Sequence, residues 1–179
     1  LDLQGLFDAD PEDSADVVIR ATGSYTLKVH ASDPATTDLL TQSSLAWDVI
    51  VLQEQSERPG LAIKYGGDDR RGLDQGGPVL IRDDIKPFQP QAKVLLYNTW
   101  ARYPDNADLI ADFNNDPAEM LAYTDLGYDR IRKNGSAWDY SSIASIARVG
   151  DAWNQWYAGF GYTEETRLHG ADGSHQNER

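Results

Sequence analysis

The stretch WDVIVLQEQS, Trp47 to Ser56, steps from an apolar run directly into a polar one. Val49, Ile50, Val51 and Leu52 are β-branched or bulky and show no polar alternation. A strand of that kind is buried on both faces, as in a parallel sheet covered by helices. The polar step at Gln53 marks the strand's carboxyl end. In open α/β sheets ligands gather at that end. The same ten residues therefore predict both an architecture and the rim where function would sit.

The segments on either side extend this pattern. Ala15–Ala21 (ADVVIRA) and Ala92–Tyr97 (AKVLLY) read as further strands, and Ser145–Val149 as a short fourth one. Leu3–Phe7 reads as the tail of a helix. Asp33-Pro34 opens a helix through Leu40, with Asp at the cap and Pro in the first turn. Pro78–Phe88 fits a helix with two faces. Pro117-Ala118-Glu119 starts another that runs to about Lys133 and stops at Asn134-Gly135. Asp151–Phe160 fits a helix carrying Trp153, Trp156 and Tyr157 at core-packing spacings. Residues 54–77, 98–116 and 161–179 read as long loops. Strands alternating with helices predict an α/β three-layer α/β/α sandwich with a parallel sheet, in a single domain over residues 1–179.

Composition narrows the function. The chain has 179 residues, 40% hydrophobic and 25% charged, which suits an ordinary globular domain. No apolar run reaches membrane-spanning length. Cysteine is absent, which excludes disulfides, thiolate metal sites and cysteine nucleophiles and leaves the compartment open. The net charge is −13, from 29 acidic and 16 basic residues. Such a surface repels nucleic acid and anionic lipid, so neither is an expected partner. It fits a secreted or periplasmic setting as well as any other. No Gly-rich phosphate loop is present, and His169 and His175 form no compact metal-ligand cluster.

The candidate chemistry lies at the strand exits and in a late loop. Asp172 stands three residues before His175 across a glycine. From there its carboxylate could orient the imidazole and stabilise it as it takes a proton. The same spacing also fits a surface Asp-Gly turn followed by a solvated histidine. Gln53 could aim its amide N–H groups at a developing oxyanion, or it could cap loop backbone. Gly23 could present a backbone N–H with no side chain in the way, or form a plain turn. Asn98 and Trp100 end the AKVLLY strand on the same rim and could line a substrate pocket, as could Glu54. Glu54 fits a structural loop residue as well. Ser56 lacks the strained turn that exposes a nucleophilic serine.

Five segments taken in order resemble the SGNH (GDSL-type) hydrolase superfamily. They are ATGSYTLKVH (Ala21–His30), WDVIVLQEQS, YNTWAR (Tyr97–Arg102), IARVGDAW (Ile146–Trp153) and DGSH (Asp172–His175). The resemblance is to a bacterial branch with a V-V-L-Q-E-Q-S-like block. It implies a flavodoxin-like parallel sheet and a serine esterase that acts on small acyl esters, often carbohydrate acetyl groups, and needs no cofactor. His175 would be the general base, Asp172 its orienting acid, and Gly23 and Gln53 the oxyanion hole. A scaffold of the same type without a nucleophile, holding a glycan or a partner in the cleft, is the alternative.

The nucleophile's G-x-S block, which ends the first strand in that superfamily, has no counterpart here, and neither has the closing helix after D-x-x-H. In a 2-1-3-4-5 sheet the first strand lies between ADVVIRA and WDVIVLQ. Leaving that slot empty would orphan two strand edges at about 1–3 kcal/mol per buried group, against a typical margin of about 5–15 kcal/mol. The expectation is that residues outside these 179, or another chain, supply the strand.

Overall fold

The computed structural model describes residues 18–20, 25–42, 44–55, 57–66, 77, 79–106, 110–137 and 143–170. Within them the chain builds an α/β fold on a three-stranded parallel sheet flanked by helices. Strands β1 (Val49–Leu52), β2 (Lys93–Asn98) and β3 (Ile143–Arg148) lie in that order. Ile50 pairs with Val94 and Leu52 with Leu96, and a register shift between Val94 and Leu95 separates the two halves of the β2–β3 ladder.

The helices are α1 (Leu27–His30), α2 (Pro34–Thr41), α3 (Arg58–Lys64), α4 (Lys86–Phe88), α5 (Pro117–Ala137) and α6 (Val149–Phe160). A π-helical turn, Leu80–Ile85, leads into α4, and a 3₁₀ turn, Ala111–Phe113, precedes α5. One face of the sheet carries Ile50, Leu52, Val94 and Leu96. They pack with Leu27, Leu40, Leu80, Ile81, Ile85, Tyr128 and Ile131 into the main core. On the other face Val49 and Val51 remain 52% exposed, and Leu95 and Tyr97 are only partly buried. Among the described residues β1 pairs only with β2, and none pairs with its other edge.

Several sequence expectations change. Residues 18–20 of the ADVVIRA segment join no strand, and Val18 and Ile19 are more than half exposed. β-branched residues favour a strand only where a neighbour completes the ladder, and among the described residues none pairs with them. The long loop after β1 contains α3. Its Pro59 sits in the first turn, where the missing N–H does no harm. Gly60, which reads as a breaker, is there because a Cβ would come within 3.0 Å of the Phe113 ring. α1 begins at Thr26, whose hydroxyl accepts the Val29 N–H (3.2 Å). The backbone of α5 continues through Asn134-Gly135, the expected stop, to residue 137. Leu3–Phe7 lies outside the described residues.

Gln89 holds the approach to β1. Its buried amide donates to the carbonyls of Leu40 (3.2 Å) and Leu45 (2.8 Å) and accepts the Trp47 N–H (3.2 Å). Gln89→Ala should leave these backbone groups without partners and cost about 2–4 kcal/mol. Urea unfolding at neutral pH checks this; a loss under 0.5 kcal/mol, the size of a neutral surface change, would contradict it.

Candidate active site at the strand exits

The parallel register brings the carboxyl ends of the three strands to one rim. Gln53 follows β1 directly; its side chain is exposed and makes no hydrogen bond among the described residues. It is thus a pair of amide donors held at the end of a strand, with no acceptor among the described residues.

Glu54 turns the opposite way and is fully buried. Its carboxylate accepts the Gln55 N–H (2.7 Å) and, with both oxygens, the Leu27 N–H (3.3 Å). The Glu54 backbone N–H donates to the Tyr128 hydroxyl (3.0 Å), which reaches in from α5. Burial pushes the Glu54 carboxyl up to about 7, against the opposing pull of the Gln55 and Leu27 amides and of Arg58. Tyr128, also fully buried, is pushed well above the usual phenol range by desolvation. Glu54 therefore belongs to the rim's foundation, buried beneath its surface.

Asn98 ends β2 and is likewise buried. Its Nδ2 donates to Asp125 (2.6 Å), and its Oδ1 accepts the Gly150 N–H (3.1 Å). Both ends of the amide serve the protein, so the structure gives Asn98 a tying role where the sequence suggested a ligand contact. Arg148, at the end of β3, bridges Asp125 (3.0 Å) and Asp129 (2.9 Å). Burial and the nearby Asp151 raise the Asp125 carboxyl. Trp100 is half-buried and stacks face to face on Trp153 at 4.3 Å. Gly23, Asp172 and His175 lie outside the described residues.

The structure also shows a group that the sequence did not single out. His169 is 1% exposed and sits among Tyr103, Tyr157 and Trp153. Its Nε2 lies 2.8 Å from the Ala101 carbonyl and its Nδ1 2.8 Å from the Tyr157 hydroxyl. The carbonyl only accepts, so the proton is on Nε2. Tyr157 then donates to Nδ1 while accepting the Leu168 N–H (2.8 Å). Burial, which outweighs the Ala101 bond, holds the ring down to about 4. His169 is thus neutral with both nitrogens engaged, and it has no free base. Nothing in the local sequence signals this, because its partners lie 12 and 68 positions away.

His30 differs. Its Nδ1 lies 2.9 Å from the Thr36 hydroxyl, which donates to Asp33 (2.8 Å). Among the described residues no group of three His or carboxylate side chains could hold a metal ion. A cavity of about 10 Å³, lined by Ala101, Leu121, Gly150, Trp153, Tyr157 and His169 among others, has room for no more than one water.

No family profile and no curated protein matches the chain. Among solved structures, the fold is similar to the crystal structure of a DUF4886 family protein from Bacteroides uniformis ATCC 8492, with a TM-score of 0.60 and 16% identity. The match covers 87% of this chain and 62% of that one, so the chain spans less than two thirds of its neighbour's length. At this identity the likeness bears on the fold alone, an α/β arrangement around a parallel sheet that is consistent with a flavodoxin-like fold.

Proposed function

We propose that this chain carries part of an SGNH-type serine esterase site, in a three-layer sandwich, and acts on small acyl esters such as carbohydrate acetyl groups. The carrying observation is Gln53: an exposed amide, unbonded among the described residues, at the carboxyl end of a strand whose outer edge carries no partner among them. A strand from outside these 179 residues, or from another chain, would pair with that edge and bring a serine to the same rim. His175 would take the serine's proton as it attacks the ester carbonyl and return it to the leaving alcohol. Asp172 would orient the ring. Gly23 and Gln53 would hold the oxyanion, and Trp100 would wall the acyl or sugar side. The state of the histidines supports the choice of base. His169 has no nitrogen to spare, and His30 is tied through Thr36 to Asp33.

The test uses the whole gene product. A fluorophosphonate probe should label it, and it should hydrolyse p-nitrophenyl acetate. His175→Ala should abolish turnover, and Gln53→Ala should lower kcat by about 10²–10³-fold, the usual cost of one oxyanion donor. Unchanged rates in both variants would refute the assignment. Absence of labelling would favour the alternative, a scaffold that binds a glycan or partner without cleaving it.

A further inference from the structure

Gln53 can serve as a donor only if the backbone that presents it is held still, and β1 ends one residue earlier, at Leu52. Beyond Leu52 the sheet ladder no longer constrains the chain. The next residue does so with side-chain chemistry. Glu54 is anchored three ways: its own N–H on Tyr128, its carboxylate on the Gln55 N–H, and the same carboxylate on the Leu27 N–H. The Leu27 contact crosses to another segment, at the first helical residue after the Thr26 cap. A wholly buried carboxylate whose acceptors all serve backbone amides is an expensive way to close a loop. Its position is best explained by the residue before it.

We propose that Glu54 is a positioning residue for Gln53: its carboxylate pins the exit of β1 to the start of α1 and so fixes the direction in which the Gln53 amide points. This inference rests on the esterase reading. Oxyanion donors act through preorganisation, and a misplacement of about 1 Å can cost on the order of 10²-fold in rate. The neutral amide in Glu54→Gln keeps the shape of the side chain. It offers one acceptor where the carboxylate has two, and it turns an NH₂ toward the Leu27 and Gln55 N–H donors.

The experiment is a double-mutant cycle on p-nitrophenyl acetate hydrolysis by the whole gene product, using Glu54→Gln, Gln53→Ala and the pair. The expected results are a kcat reduced about 10- to 100-fold in Glu54→Gln with KM within about twofold, and a double variant no slower than Gln53→Ala alone. Non-additivity of that kind separates positioning from general structural damage, which would multiply the two losses. Should Glu54→Gln not fold, Tyr128→Phe removes the hydroxyl that anchors the Glu54 backbone, and its loss should likewise vanish in the Gln53→Ala background. Multiplicative losses, or full activity in Glu54→Gln, would overturn the inference. Full activity in Gln53→Ala would instead overturn the esterase reading on which it stands.

Discussion

Gly127→Ala should lower the unfolding free energy by about 1–2 kcal/mol, although alanine is the better helix former. Gly127 lies inside α5, where the exchange alone would gain about 1 kcal/mol. A Cβ at this position would stand 2.5 Å from the Pro59 carbonyl oxygen and 2.6 Å from the Pro59 Cβ. The obstacle is the backbone of α3, which cannot rotate away, so α3 and α5 would have to separate along their shared contact. Overpacking of this kind costs about 1–3 kcal/mol and occasionally more, which outweighs the propensity gain. Gly150→Ala should be at least as damaging. Its Cβ would lie 2.4 Å from the Thr99 carbonyl oxygen and 2.7 Å from Asn98 Oδ1. The junction of β3 and α6 is built on that close approach. Gly159, in α6, has nothing within 4 Å of its Cβ position, so Gly159→Ala should stabilise by about 0.5–1 kcal/mol. Urea midpoints of the three variants decide the point; equal shifts at all three glycines would show that the close contacts carry no cost.

These glycines show where local reading of the chain stops. β1 was legible because Val49–Leu52 is an uninterrupted apolar run, and α2 because Asp33-Pro34 is a start signal. α3 was hidden because Pro59-Gly60 has the chemistry of a turn. The reason for Gly60, the Phe113 ring 53 positions on, is a tertiary fact. At Asn134-Gly135 a local stop signal was overridden. Val18 and Ile19 show the reverse: their strand propensity came to nothing where no strand among the described residues pairs with them. At the rim, Gln53 could be picked out because it follows the apolar run. Glu54, its neighbour, could not be ranked, since its burial depends on Tyr128 and Leu27 folding over it. Asn98 was read as a ligand contact, but Asp125 and Gly150 use up its amide. Sequence position therefore located the rim, while long-range packing decided which of its side chains remain free.

The opposite shifts of Glu54 and His169 should nearly cancel in the pH dependence of stability, and single variants should expose each. The folded-state carboxyl of Glu54 is pushed up to about 7 from an ordinary value of 4.5. Between those limits the folded protein holds a proton that the unfolded chain has released, so stability falls as pH rises. His169 is held down to about 4 from 6.5. Between those limits the unfolded chain binds the proton and the folded protein does not, so stability rises with pH. Each shift corresponds to roughly 3 kcal/mol across its window, and over pH 4.5–6.5 the slopes oppose one another. Subtracting a variant from its parent at each pH removes the contribution of the surface carboxylates. The parent's advantage over Glu54→Gln should therefore shrink by roughly 3 kcal/mol from pH 4.5 to 7. Its advantage over His169→Gln should grow by a similar amount from pH 4 to 6.5. Urea unfolding at four pH values measures both differences. If neither difference changes with pH, both groups must titrate at ordinary values in the folded protein, and the dry surroundings assigned to them here would be wrong.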